Sequence, residues 1–138
     1  MKRKASLILI ELMLMLLVFA LAAALCVQAF VWADDNSRQS QAADAALMQA
    51  QNAAELLKHH RGEFSMAAAD FGGLWDGDSW TVFYDEHWNI TSGAPVYSLQ
   101  AKPQACETAY LGQAQIIVVD AKQTTLTSLS VCWQEVAP

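Results

Sequence analysis

Residues 7 to 26 read LILIELMLMLLVFALAAALC, and the run stays apolar as far as Ala33, interrupted only by Glu11 and Gln28. As a helix these 27 residues extend roughly 40 Å at about 1.5 Å per residue, against a hydrocarbon core of about 30 Å. The run is therefore long enough to cross a membrane with some tilt. It also raises the apolar share of the chain to 54%, above the usual share for a globular domain. A carboxylate at Glu11 costs free energy in such surroundings, so its presence needs a reason.

Flanking charge orients the span. Lys2, Arg3 and Lys4 precede it, and Asp34 and Asp35 follow. The positive-inside bias predicts a cytoplasmic N-terminus and an extracytoplasmic remainder. That remainder carries 13 Asp and Glu against 5 Lys and Arg, a balance that disfavours nucleic acid or an anionic lipid surface as its partner. A removable secretory signal ending at Val31-Trp32-Ala33 is the alternative, although an h-region normally spans only about 7 to 15 residues. Of the three cysteines, Cys26 reads as a small hydrophobe within the run. Cys106 and Cys132 fall in the exported part, where a disulfide between them is permitted.

From Leu7 to Arg61 there is neither glycine nor proline, which predicts one very long helix. Its outer part, 34–61, turns amphipathic: Ala43, Leu47, Ala50, Ala54 and Leu57 recur at helical spacing, with Asp44, Gln51, Glu55 and Lys58 on other faces. His59, His60 and Arg61 suit the negative end of the helix dipole, and Gly62 reads as the stop. Adjacent histidines do not share a helix face, which argues against a metal site there.

The stretch GEFSMAAADFGGLWDGD, with four glycines, reads as a linker. Four strands are expected after it, over 79–85, 94–101, 112–120 and 124–134. The last two form a hairpin around Ala121-Lys122-Gln123, with a bulge where the alternation slips between Leu126 and Leu129. A β-rich head over 62–138 is too small to build an ample core alone. The expected fold is α+β, a long N-terminal helix whose amphipathic half packs on a small antiparallel sheet. Trp75, Trp80, Trp88 and Trp133 read as packing residues of that head, or as a subunit contact where a ring is exposed.

Lys2-Arg3-Lys4 followed by Leu7-Ile8-Leu9-Ile10-Glu11-Leu12-Met13 resembles the N-terminus of type IV pilins and of the pseudopilins of type II secretion and competence systems. The motif covers about the first 30 residues, and the order helix then sheet is similar over the rest. The resemblance implies a leader of residues 1–6 cut by a prepilin peptidase between Ser6 and Leu7. It also implies N-methylation at Leu7 and assembly through Glu11 with other pilin or pseudopilin subunits. The family normally has glycine where Ser6 stands and phenylalanine where Leu7 stands. The implied location is the cytoplasmic membrane or a filament growing from it.

Glu11 lies only about 6 Å of helix rise from Leu7, so the free amine of a neighbouring subunit's Leu7 would offset its cost in one axial register. A charge pair of this kind selects register more than it adds stability. The blander reading is a Glu11 that sits at the headgroup boundary and does nothing. A second alternative is a single-pass anchor carrying an extracytoplasmic binding domain.

Catalytic signals are missing from the sequence. No nucleophile with a base and an oxyanion donor is apparent, nor is any phosphate-cradling loop or cofactor motif, and Asp70-Phe71-Gly72 matches a kinase tripeptide by letters alone. The chain therefore reads as non-enzymatic. Asp76, Asp78, Asp85 and Glu86 admit either a calcium loop, as in some pseudopilins, or solvated turns, and their spacing is not that of an EF-hand.

Overall fold

The computed structural model describes residues 2–135; Met1 of the expected leader and residues 136–138 of the expected head lie outside them. The first helix, α1, runs Lys2–His59, so it begins inside the expected leader and ends two residues before Arg61. The chain divides into two compact units, Met1–Ser40 and Gln41–Pro138. The head unit therefore includes the last part of α1 rather than starting at Gly62.

The end of α1 is closed by two hydrogen bonds. Arg61 N–H donates to Lys58 O at 3.1 Å and Gly62 N–H to Leu57 O at 2.8 Å, the Schellman arrangement. The first left-handed residue is Arg61 (φ 51°), one position before the expected stop at Gly62 (φ 82°).

The segment read as a linker is structured. It holds a second helix, α2 (Phe64–Phe71), and the short strand β1 (Leu74–Trp75). Phe64, Ala67, Ala68 and Phe71 fall at i, i+3, i+4 and i+7, so a helical stripe was present, compressed into two turns. All four belong to the core or pack on it. His60 Nε2 lies 2.7 Å from Asp70 Oδ2, which ties the end of α1 to α2.

The remaining strands are β2 (Trp80–Tyr84), β3 (Tyr97–Gln104), β4 (Leu111–Asp120) and β5 (Thr125–Gln134). They form one antiparallel sheet in the order β1-β2-β3-β4-β5, each strand beside its neighbour in sequence. The β4–β5 hairpin forms where expected. Asp120 Oδ1 accepts the N–H groups of Lys122 and Thr124, both at 2.8 Å, and Gln123 takes the left-handed conformation. The bulge is also present: Val118 pairs with Thr127 and Val119 with Thr125, which leaves Leu126 as the extra residue. β3 extends three residues past its expected end and includes Pro103. Proline is tolerated there because β2 ends opposite Ala101 and leaves that side of the strand unpaired.

One face of the sheet and the last turns of α1 make the core. Ala46, Ala50, Ala53, Ala54 and Leu57 cluster with Trp80, Val82, Tyr84, Leu99, Ala101, Ala114, Ile116, Val118, Val131 and Trp133. The helix and sheet therefore assemble as the α+β pattern predicts. The buried stripe is rotated from the expected one: Ala46 and Ala53 are fully buried, while Leu47 is exposed and Ala43 only partly covered. The alanines of α1 share one core cluster with Ala101 and Ala114 of the sheet. A bulky Leu47 is pushed to the flank.

The tryptophans divide between core and margin. Trp80 is fully buried and its indole N–H donates to Gly72 O at 2.9 Å. Trp75 stacks on Phe64 and Trp88 on Tyr97, with centroids 4.8 and 4.2 Å apart. Trp133 is buried between two glycines: a Cβ added at Gly62 or Gly112 would fall 2.3 or 2.2 Å from its indole ring.

Candidate functional site

Of the sequence-derived sites, the N-terminal unit holds Ser6, Leu7 and Glu11, all exposed on α1. Eighteen large apolar side chains between Leu7 and Trp32 are exposed, on every side of the helix. The most apolar 18-residue window of α1 has a mean hydropathy of 2.8 and none of it is buried within the chain. A soluble monomer rarely leaves more than a few hundred Å² of contiguous apolar surface in water. This surface needs lipid or other helices against it. Among the described residues there is thus one helix, near the N-terminus, that is long and apolar enough to cross a membrane.

Glu11 has no hydrogen-bond or ion-pair partner among the described residues. The positions that share its helix face, Leu7 and Ile8 on one side and Leu14 and Met15 on the other, carry no polar side chain. A partner for its carboxylate has to come from outside this helix. Just beyond the run Arg38 Nε pairs with Asp34 Oδ2 at 3.0 Å, an exposed i, i+4 contact that contributes little.

The acidic residues of the head go to turns. Asp76 accepts the N–H groups of Ser79 and Asp78 at 2.7 and 2.9 Å, and Asp85 accepts those of His87 and Asn89 at 2.8 and 2.9 Å. Asp76 and Asp78 serve the β1–β2 turn, and Asp85 and Glu86 the β2–β3 connection, so the four do not form one site. No group of three metal-ligating side chains occurs among the described residues.

These hydrogen bonds set a pH dependence. The Ser79 N–H, then that of Asp78, hold the Asp76 carboxyl below the usual range, and the Asn89 N–H does the same for Asp85. A carboxyl whose value is lowered by folding stabilises the fold above its unfolded value, about 3.9, and that stabilisation is lost as pH falls through the lower folded value. The head should therefore melt at a lower temperature at pH 2.5 than at pH 6, and Asp76→Asn with Asp85→Asn should shrink the difference. Melting curves of the full chain in detergent at the two pH values measure it.

Cys106 and Cys132 are both free cysteines. Cys132 lies on the exposed face of β5, opposite Gln113 of β4, which in turn faces Gln104 of β3. The end of β3 is thus two strand spacings from Cys132, about 9.5 Å, and a disulfide needs Cα atoms within about 7 Å. Sequence could not reveal this because it depends on which strands are adjacent.

No protein-family model, curated protein or solved structure matches this chain.

Sequence reading did not single out the outer edge of β5, whose exposure depends on the strand order.

Proposed function

We propose that the chain is a membrane-inserted structural subunit of the type IV pilin or pseudopilin kind, assembled with like subunits through its N-terminal helix. The observation that carries this reading is Glu11: one carboxylate, without a partner among the described residues, in an apolar run bare on all sides and preceded by Lys2-Arg3-Lys4. An acid so placed is costly in lipid and gains a counter-ion only where a second chain supplies it. The free amine created by cutting between Ser6 and Leu7 is the group of opposite charge at matching depth. Prepilin peptidase and sister pilin or pseudopilin subunits are the partners this implies, with the head on the extracytoplasmic side of the cytoplasmic membrane.

Mass spectrometry of the protein isolated from its own membranes is expected to find Leu7 as the N-terminal residue, carrying a methyl group. Intact Met1 in assembled material would remove the processing step and with it the proposed counter-ion. Ser6 and Leu7, where the family has glycine and phenylalanine, favour the second reading, a single-pass anchor carrying a binding domain. Under that reading Glu11 has no task and its replacement changes nothing.

A further inference from the structure

Two polar side chains interrupt the apolar run, and the contact proposed for Glu11 leaves the other, Gln28, without a task. Gln28 is exposed on α1 and has no hydrogen-bond partner among the described residues. Its amide carries an acceptor and two donors, which are costly to leave unpaired where lipid excludes water. Trp32, the one tryptophan of the run, is 73% exposed, and no described residue accepts its indole N–H. The two stand four residues apart on one helix, near enough to meet, yet no hydrogen bond joins them within the chain.

Spacing ties both residues to the proposed Glu11 contact. Glu11 follows Leu7 by four residues, and Trp32 follows Gln28 by four. Gln28 follows Leu7 by 21 residues, and Trp32 follows Glu11 by 21. Displacing one copy by four residues, about 6 Å along the axis, sets its Leu7 amine beside Glu11 of another copy. The same displacement sets its Gln28 beside that copy's Trp32. The helix face agrees with the height, because 21 residues are three heptads, the period at which left-handed helix pairs keep one seam in contact. A straight helix drifts by about 20° per heptad, a departure that winding two helices together at about 20° takes up. Leu14 and Leu21 of the first copy and Val18 and Leu25 of the second lie on the same seam. The rise over three heptads is about 30 Å, the thickness of the hydrocarbon core, so the two contacts fall at its opposite boundaries.

We propose that the Trp32 indole N–H of one copy donates to the Gln28 side-chain carbonyl of the next, in the same four-residue register as the Glu11 contact. The inference rests on the subunit reading above and adds a second lock to its register. Donor and acceptor are complementary, since an indole N–H only donates and the amide oxygen accepts. The Gln28 amide nitrogen lies at the outer boundary, where water and headgroups accept its protons. A charged contact at the inner boundary fixes the height of one helix against another. A second contact three heptads away fixes their rotation as well. Both copies keep the same sense in the membrane, with their N-termini on one side.

The test is cysteine cross-linking of the full chain in its own membranes, with Cys26 replaced by alanine and Cys106 and Cys132 by serine. Two tagged copies are expressed together, one carrying Leu21→Cys and the other Leu25→Cys. Under mild oxidation this mixed pair is expected to link several times faster than two Leu21→Cys copies, which come level only without the displacement. Gln28→Leu and Trp32→Phe should each lower that link, and the share of chain in polymer, roughly three- to tenfold, the range for one interhelical hydrogen bond in a membrane. Combined, they should lower it no further than either alone, because both remove the same bond. Neither change adds a polar group to the run, so the amount of chain in the membrane should not fall. Additive losses, an undiminished link in both single variants, or equal linking of two Leu21→Cys copies would overturn the proposal. Glu11→Ala separates the two readings. Loss of polymer in that variant, with no effect of Gln28→Leu or Trp32→Phe, keeps the subunit reading and removes this one, and no response to any of the three removes both.

Discussion

Glu11→Ala is expected to abolish assembly while leaving the amount of chain in the membrane equal to, or above, that of the parent. A carboxylate at the centre of a span costs about 2.5 to 3.5 kcal/mol on insertion scales, and less near the interface, where Glu11 lies about one helical turn from Leu7. Removing it relieves that cost, so insertion cannot suffer for energetic reasons. Assembly responds in the opposite direction, because the same side chain is the proposed acceptor for a neighbour's N-terminal amine. Truncating one member of a desolvated charge pair costs about 3 to 5 kcal/mol, or a few hundred-fold or more in an association constant. Glu11→Gln keeps a hydrogen-bond acceptor without the charge and should fall between the two. The measurement is the ratio of sheared or cross-linked polymer to membrane-bound monomer in cells expressing each variant. An unchanged ratio in both variants would leave the anchored binding domain as the better description.

The sequence was most informative where one pattern ran long enough to dominate. The apolar run lies wholly within α1 as found, and the glycine-free stretch lies within it up to His59. β2, β4 and β5 fall within one residue of their expected bounds, because β-branched residues, alternation and turn residues agree there. The failures are local. The stripe on α1 was assigned from apolar residues recurring at helical spacing from Ala43, yet the sheet selects Ala46 and Ala53 and excludes Leu47, a choice that depends on the surface opposite. α2 was hidden by its flanking glycines, which outweighed a stripe only two turns long. Cys106 and Cys132, which the sequence allowed as a pair, are both free cysteines. Glu11 was readable from its neighbours alone, and the bare edge of β5 needed the strand order.

Trp133→Ala is expected to be the most damaging single change in the head. The indole is nearly buried, packs edge-on to Phe64 with centroids 6.3 Å apart, and fills the space above Gly62 and Gly112. Its removal should cost about 3 to 5 kcal/mol, a large part of the roughly 5 to 15 kcal/mol that holds a domain of this size together. Most of that loss is volume rather than hydrogen bonding, since the buried indole N–H has no acceptor among the described residues. Trp133→Phe should accordingly cost much less than Trp133→Ala.

The two glycines separate sterics from backbone strain. Gly112→Ala should cost about 1 to 3 kcal/mol, because the new methyl meets a rigid ring and not the end of a flexible chain. Gly62→Ala adds to a similar clash the strain of its left-handed φ of 82°. In a Trp133→Leu background, Gly112→Ala should become nearly neutral, whereas Gly62→Ala should keep the backbone part of its cost. Denaturant unfolding of the three single and two double variants closes both cycles. Additive costs for Gly112→Ala and Trp133→Leu would mean that the indole is not what the second glycine accommodates.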